Sequence, residues 1–247
     1  MFSIFKHFGK YYMLMFRVFG RPEKRSLYWK QVLLEIDKIG IGSLGIVSII
    51  SLFMGAVILI QSAYGFSSPW VPSYAEGVAT RDSIILEFAP TILSLILAGK
   101  VGSNISSEIG TMKVTEQIDA LEIMGVNSAA FLIAPKIIAS IIINPFLIIF
   151  SMFLGVAGGY IAAVSTGAVT AHDFIYGIQY DFIPFNVFFA LVKAVVFAFI
   201  ISSISSYHGY ITEGGALEVG KASTKGVVYS SITILFFNVL LTQMFLS

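Results

Sequence analysis

Cysteine is absent from the 247 residues, so the chain can form no disulfide, thiol nucleophile or thiolate metal site, and its redox compartment stays open. Charge is scarce. Only 12% of residues are Asp, Glu, Lys or Arg, and a net charge of +1 gives no electrostatic footprint for nucleic acid. The three histidines, His7, His172 and His208, stand far apart in different contexts, which argues against a metal site. No G-x-x-x-x-G-K-[ST] segment is present to cradle nucleotide phosphates, and no Ser-His-Asp pattern appears. Hence no catalytic residue, metal ligand or cofactor is expected in this chain. No repeat, low-complexity stretch or linker divides it, and residues 1–247 read as one domain.

Apolar residues are what the chain has in plenty: 57% are hydrophobic and mean hydropathy is +0.88. This is the composition of an integral membrane protein. Five apolar runs, roughly 41–66, 83–103, 131–165, 184–206 and 226–246, are each long enough to cross a membrane. A helix needs about 20 residues to span a hydrocarbon core of about 30 Å. The third run extends about 52 Å at about 1.5 Å per residue, enough for one long helix or a hairpin. Charge decides between them. Residues 166–183 carry no Lys or Arg, whereas 207–225 carry Lys221 and Lys225. A single crossing places the first stretch outside and the second inside, as the positive-inside rule prefers. The expected architecture is all-α, with five transmembrane helices in 41–246 and the C-terminus outside.

Residues 1–20 form an amphipathic pattern. Phe5, Phe8, Tyr12, Phe16 and Phe19 share one helical face, and Lys6, Lys10, Arg17 and Arg21 line a stripe beside it. That describes a helix lying in the membrane interface, and the basic residues interrupt any signal-peptide core. Pro22 is placed to open a second helix. Eight of the fifteen Lys and Arg fall in residues 1–38, the last four being Lys24, Arg25, Lys30 and Lys38, which assigns the N-terminus to the cytoplasm. Pro69, Trp70, Pro72 and Tyr74 suit an aromatic belt at the opposite interface. Gly40-Ile41-Gly42-Ser43-Leu44-Gly45 matches G-x-G-x-x-G, but it follows a charged helical stretch rather than a strand. Its glycines read as close-packing positions in a membrane helix, as does Gly155-x-x-x-Gly159, within the protomer or across a dimer.

Two ionisable residues lie inside apolar runs, Glu87 and Lys193. Each costs about 2.5–3.5 kcal/mol to insert, so such residues face a bundle interior or a water-filled cavity. Their similar depths allow an ion pair. One function for it is ion coupling in a secondary transporter, although no inverted repeat is visible. Gln61 is a lone amide in the first run, suited to an interhelical hydrogen bond.

Between the second and third runs lies a polar island, Glu108 to Gly125. Val114, Ile118 and Leu121 fall at i, i+4, i+7, with Lys113, Glu116, Gln117, Asp119 and Glu122 around them. Gly125 stands at a helix stop with Asn127 close behind. The spacing predicts a short amphipathic helix over 111–124 at the cytoplasmic surface, open to a soluble partner. Glu116, Asp119 and Glu122 would form its acidic side.

The island, EIGTMKVTEQIDALEIMG, resembles the signature of the MlaE-type permeases, the membrane subunits of MCE-associated lipid ABC transporters. Other segments resemble that family too. Ala98-Gly99-Lys100-Val101-Gly102-Ser103 carries lysine where the family has arginine, and Glu87-Phe88-Ala89-Pro90 follows Leu86 where an arginine is common. Lys193-Ala194-Val195-Val196-Phe197 has Ala198 in place of the family's glycine, and Gly214–Thr224 resembles a second signature. The resemblance runs from about residue 40 to the end. It implies a coupling helix over 108–125 that docks on an ABC ATPase holding ATP and magnesium, through Glu108, Gly110, Thr111, Glu116, Gln117, Asp119, Leu121 and Gly125. It also implies a lipid cavity at Gln61, Glu87 and Lys193, and a second cytoplasmic contact at Gly214, Gly215, Gly220 and Lys221. On this reading two copies form a homodimer in the bacterial inner membrane under a periplasmic MCE-domain protein. The dimer moves phospholipid or another lipid between inner and outer membranes.

Overall fold

The computed structural model describes residues 2–20, 25–66 and 70–246, and among them every regular element is helical. The expectations for Arg21, Pro22, Lys24 and Pro69 lie outside the described residues, as do those for the side chains of Phe5, Lys6 and Arg25. The helices are α1 (Phe2–Val18), α2 (Arg25–Gly65), α3 (Ala75–Val114), α4 (Gln117–Ile123), α5 (Ser128–Thr166), α6 (Ala171–Gln179), α7 (Pro184–Tyr210) and α8 (Ala216–Leu246). Five of them, α2, α3, α5, α7 and α8, are long and apolar enough to cross a membrane. The third apolar run is one helix, not a hairpin.

The spans outrun the apolar stretches that announced them. Helix α2 carries Glu35, Asp37 and Lys38 ahead of its apolar run, and α3 reaches Lys113. Helix propagation adds a backbone bond per residue, so a nucleated helix continues into polar sequence until a stop signal. Asn127 caps α5 by accepting from the Ala130 amide at 3.3 Å, and Thr170 caps α6 by accepting from that of Asp173 at 3.1 Å. Gly167, at φ +66°, closes α5 in the left-handed conformation that glycine adopts without strain.

Helices α2 and α5 cross with their backbones in contact. A Cβ on Gly55 would lie 1.8 Å from the Gly155 carbonyl oxygen, and one on Gly158 would lie 2.0 Å from that of Leu52. Ser51 and Ser151 share a hydrogen bond of 2.7 Å at the same crossing. Small residues and hydroxyls hold helices together where lipid supplies no hydrophobic drive between them. Gly155 and Gly159 therefore serve this chain's own packing. Of the glycines at 40–45, Gly40 packs close to Ile143, whereas nothing lies within 4 Å of a Cβ on Gly45. The close-packing expectation thus holds for Gly40 and not for Gly45.

Helix α1 lies against α5 and α7. Its aromatic face, Phe8, Tyr12, Phe16 and Phe19, is exposed, as an interfacial helix requires. A further face docks it: Leu14, Met15 and Val18 are buried, the Tyr11 hydroxyl donates to Ser203 at 2.9 Å, and His7 Nδ1 bonds the Tyr207 hydroxyl at 2.9 Å. At the opposite end of the bundle α3 and α6 pack through Gly77 and Gly177. There Arg81 donates to the carbonyls of Ile178 (3.0 Å) and Tyr180 (2.7 Å), which end α6.

Candidate functional site

Proline sets the geometry around Glu87. Pro90 lies inside α3, has no N–H, and cannot bond the carbonyl four residues back, that of Leu86. The helix widens there into a π-wound stretch, Ile84–Ile92, with a second such stretch at Ala98–Gly102. The freed Leu86 carbonyl accepts from Lys193 Nζ at 3.0 Å, and the same ammonium donates to Glu87 Oε1 at 2.7 Å. Lys193 also sits 4.6 Å above the Phe189 ring. The expected pair therefore forms, and it is lopsided: the Lys193 side chain is 0% exposed and that of Glu87 46%. Helix α8 completes the site. Asn238 Nδ2 donates to Glu87 Oε2 at 3.0 Å and Thr91 Oγ1 does so at 3.1 Å, with Thr242 at 3.5 Å from Oε1.

Three helices thus meet on one carboxylate whose free side is accessible. Thr91, Asn238 and Thr242 were not among the candidates. Thr91 stands four residues after Glu87, on the same helical face, and Asn238 is an amide inside an apolar span, as Gln61 is. Gln61 itself is exposed on α2, and no hydrogen bond ties it to this site among the described residues.

At the other end of α3 the polar island departs from expectation. It is not one helix over 111–124: α3 ends at Val114, Glu116 adopts φ +61°, and α4 starts at Gln117. The Thr115 hydroxyl donates back to the Thr111 carbonyl at 2.8 Å, a local bond that competes with helix continuation. The apolar face nevertheless stays inward, with Ile118 buried and Val114 and Leu121 half-buried. Gly125, at φ +78°, forms the predicted stop: its N–H bonds the Glu122 carbonyl and the Val126 N–H that of Leu121, a Schellman motif.

The expected acidic side is largely engaged within the chain. Asp119 accepts from Lys113 at 2.6 Å, and Glu122 accepts from Ser128 (2.9 Å), Tyr210 (3.0 Å) and Arg17 (3.3 Å). The Ser128 hydroxyl foremost, with Tyr210 and the Arg17 and Lys113 charges, holds the Glu122 carboxyl below its ordinary range. Glu116 and Gln117 are exposed, Gln117 bonding only Thr115 at 3.1 Å among the described residues. Thr111 is exposed as well.

Glu108 faces the bundle. It pairs with Lys38 of α2 and, at 3.0 Å, with Lys136 of α5, which also reaches Glu35 at 2.5 Å. Lys136, whose side chain is 4% exposed, was overlooked because a single lysine after Pro135 barely interrupts the apolar run. Gly110 brings the two signatures together, since a Cβ there would press on Val219 (3.2 Å) and Thr212 (3.5 Å). Gly214, at φ +113°, makes the turn before α8, while Gly215, Gly220 and Lys221 are exposed, Lys221 pairing with Glu218 at 2.6 Å.

Comparison with known proteins accords with this layout. The family model described as "Permease MlaE" matches residues 32–244. A Rickettsia bellii protein named "Probable ABC transporter permease protein" is 38% identical over 237 residues, covering 96% of this chain and 91% of that one. "Protein TRIGALACTOSYLDIACYLGLYCEROL 1, chloroplastic" of Arabidopsis thaliana is 32% identical over 231 residues, 90% of this chain and 63% of that one. The "Intermembrane phospholipid transport system permease protein MlaE" of Haemophilus influenzae is 28% identical over 233 residues, 94% and 88% of the two chains. A membrane protein with five spans, the chain belongs to the MlaE permease family.

Proposed function

We propose that this chain is the membrane subunit of an ABC transporter that moves phospholipid or a related lipid between two membranes, driven by ATP hydrolysis in a separate subunit. One observation carries the reading: large apolar side chains stand exposed within the two polar segments at one end of the bundle. Ile123 is 87% exposed, Met124 67%, and Leu217, in the first turn of α8, 73%. The first two end α4 and the third opens the second signature, so both polar segments offer apolar anchors to a soluble partner. Glu116 and Gln117 supply a polar rim. Arg17, Lys113 and Lys221 lie on this side too, supporting a cytoplasmic position in an inner membrane.

Lipid is the cargo best suited to the other site. Glu87 offers acceptor oxygens at the edge of an apolar bundle, and Lys193 behind it neutralises the carboxylate. A headgroup with N–H or O–H donors would bond the open side of Glu87 while its tails stay in the apolar bundle. Two copies would enclose such a site more fully: α8 turns Val228, Ile232, Leu235, Phe236 and Val239 outward, a face for lipid or for a second copy. An MCE-domain protein would sit on the opposite end, where Trp70 and Tyr64 are exposed. The test is purification of the tagged chain from membranes, followed by assays of nucleotide hydrolysis and extractable lipid. A copurifying P-loop ATPase whose rate responds to added phospholipid supports the reading, and a chain that purifies alone with no bound lipid contradicts it. For orientation, a cysteine at Ala168 should react with impermeant maleimide in spheroplasts while one at Thr224 is protected.

A further inference from the structure

A cleft of about 100 Å³ opens between α2 and the inner part of α3, lined by Glu35, Lys38, Ser43, Lys100, Asn104 and Glu108. A single water needs only about 10–15 Å³ of such space, so the cleft has room for a polyatomic group. Its charges do not balance within the chain. Lys136 is paired to Glu35 and Glu108, and Lys38 to Glu108, so both carboxylates have lysine partners. Counting Lys136, which pairs with the lining carboxylates from behind, three lysines meet two carboxylates, and Lys100 is the one with no carboxylate within ion-pair distance among the described residues. Its ammonium instead donates to the Gly42 carbonyl and lies 3.4 Å from the buried Ser43 hydroxyl.

Depth makes that surplus cation informative. From Ser43 to Gly65, α2 rises about 33 Å at about 1.5 Å per residue, and a hydrocarbon core is about 30 Å thick. Ser43 and Lys100 therefore stand at the edge of the hydrocarbon, where lipid phosphates lie, with Lys38 a turn and a half further out. Lys38, Gly42 and Asn104 are exposed, so the cleft is open on that side. Glu87 is about 20 Å away along α3, which separates this cleft from the site already described.

We propose that the cleft binds a phosphate group, with Lys100 as its charge partner and Ser43 and the Asn104 amide as donors. An ammonium and two neutral donors around one net positive charge match a singly charged phosphate group, as a lipid phosphate ester or as a phosphate ion. On binding, Lys100 exchanges a backbone carbonyl for an anion, and the charges at the cleft then balance. The proposal needs the chain only to sit in a bilayer and stands apart from the transport reading.

The test uses the full chain purified in detergent, with dioctanoyl phosphatidic acid, dioctanoylglycerol and inorganic phosphate as probes, read by native mass spectrometry and thermal shift. Wild type should bind the phosphatidic acid at least tenfold more tightly than the glycerol with the same tails. Lys100→Gln should lose that preference, Lys100→Arg should keep it, and Lys225→Gln, altering an exposed lysine elsewhere, should match wild type. Should Lys100→Gln fail to fold, Asn104→Asp provides the same test: the residue is exposed, and its carboxylate would neutralise Lys100 and repel the ligand. A Lys100-dependent shift with inorganic phosphate would make the occupant free phosphate, and a shift with phosphatidic acid alone would make it a lipid headgroup. Either result supports the cleft. Equal binding of phosphatidic acid and dioctanoylglycerol by wild type with no Lys100-dependent shift from inorganic phosphate, or undiminished preference in Lys100→Gln or Asn104→Asp, would overturn the proposal and leave the Glu87 site untouched.

Discussion

Glu87 and Lys193 hold one another inside the bundle as a single pair, whereas Glu35, Lys38, Glu108 and Lys136 share their charges at the α4 end. In the first arrangement the cation is sealed and, among the described residues, has no second carboxylate. In the second, Lys136 touches two carboxylates and Glu108 two lysines, so losing one member leaves each of the others less exposed to an uncompensated charge. A single pair keeps one side of its carboxylate open for a ligand, and a shared cluster ties three helices together at the end where α4 hangs. Under the proposed function, the contrast would separate a site that meets cargo from a joint that carries movement between α3, α2 and α5.

The largest effect should come from breaking the single pair. Glu87→Gln leaves a buried lysine with only the Leu86 carbonyl as a strong partner, and should cost on the order of 3 kcal/mol in detergent unfolding. Lys193→Met should cost less, because Glu87 is half-exposed and retains its Asn238, Thr91 and Thr242 contacts. The double variant should recover part of the Glu87→Gln loss. Strict additivity of the two changes would show that the contact carries no coupling energy.

Glu108→Gln should cost less, roughly 1–2 kcal/mol, because Lys136 keeps Glu35. Its functional signature should be a drop in lipid-stimulated hydrolysis by an assembled complex, with subunit stoichiometry unchanged. A stability loss equal to that of Glu87→Gln would erase the distinction between pair and cluster.

A smaller effect should appear with pH at the α4 segment. Glu122 has its carboxyl pKa lowered in the folded chain by Ser128 first, then Tyr210, Arg17 and Lys113. A lowered folded value contributes stability that is fully present above the unfolded value, about 4.3, and is lost as pH falls through the folded one. Protection factors across 117–128, taken relative to intrinsic exchange at each pH, should therefore fall below about pH 4.3, while Glu122→Gln should remove that acid step. An identical acid profile in the variant would show that Glu122 does not anchor the segment.

Much of this layout was legible in the residues. The length of the apolar runs gave five spans, and the distribution of Lys and Arg chose one helix over a hairpin for α5, because insertion chemistry acts on simple composition. The Glu87–Lys193 pair was legible for a similar reason: two opposite charges in apolar surroundings have few alternatives to each other. The break at Glu116 was not, since Val114, Ile118 and Leu121 keep helical spacing across it and a single left-handed residue leaves no periodic trace. Nor were Lys136 and Asn238, single polar residues set in apolar sequence, whose roles depend on which helices become neighbours. Residues of the signature proved to serve two ends: Gly110 and Glu108 pack and pair within the bundle, while Ile123 and Met124, which resemble mere helix padding in the pattern, are exposed beside Glu116 and Gln117.

The central claim is that the α4 end and the Glu87 site do separate jobs in one transporter. The direct measurement is purification of wild type, Ile123→Glu, Glu116→Lys and Glu87→Gln with the partner ATPase, quantifying subunit ratio, hydrolysis rate and bound lipid in each. Ile123→Glu should lose most of its ATPase and Glu116→Lys part of it, both with wild-type lipid content after membrane extraction. Glu87→Gln should retain the ATPase and lose lipid. Full assembly and wild-type hydrolysis in both α4 variants, or loss of the ATPase in Glu87→Gln while it remains folded, would contradict this account.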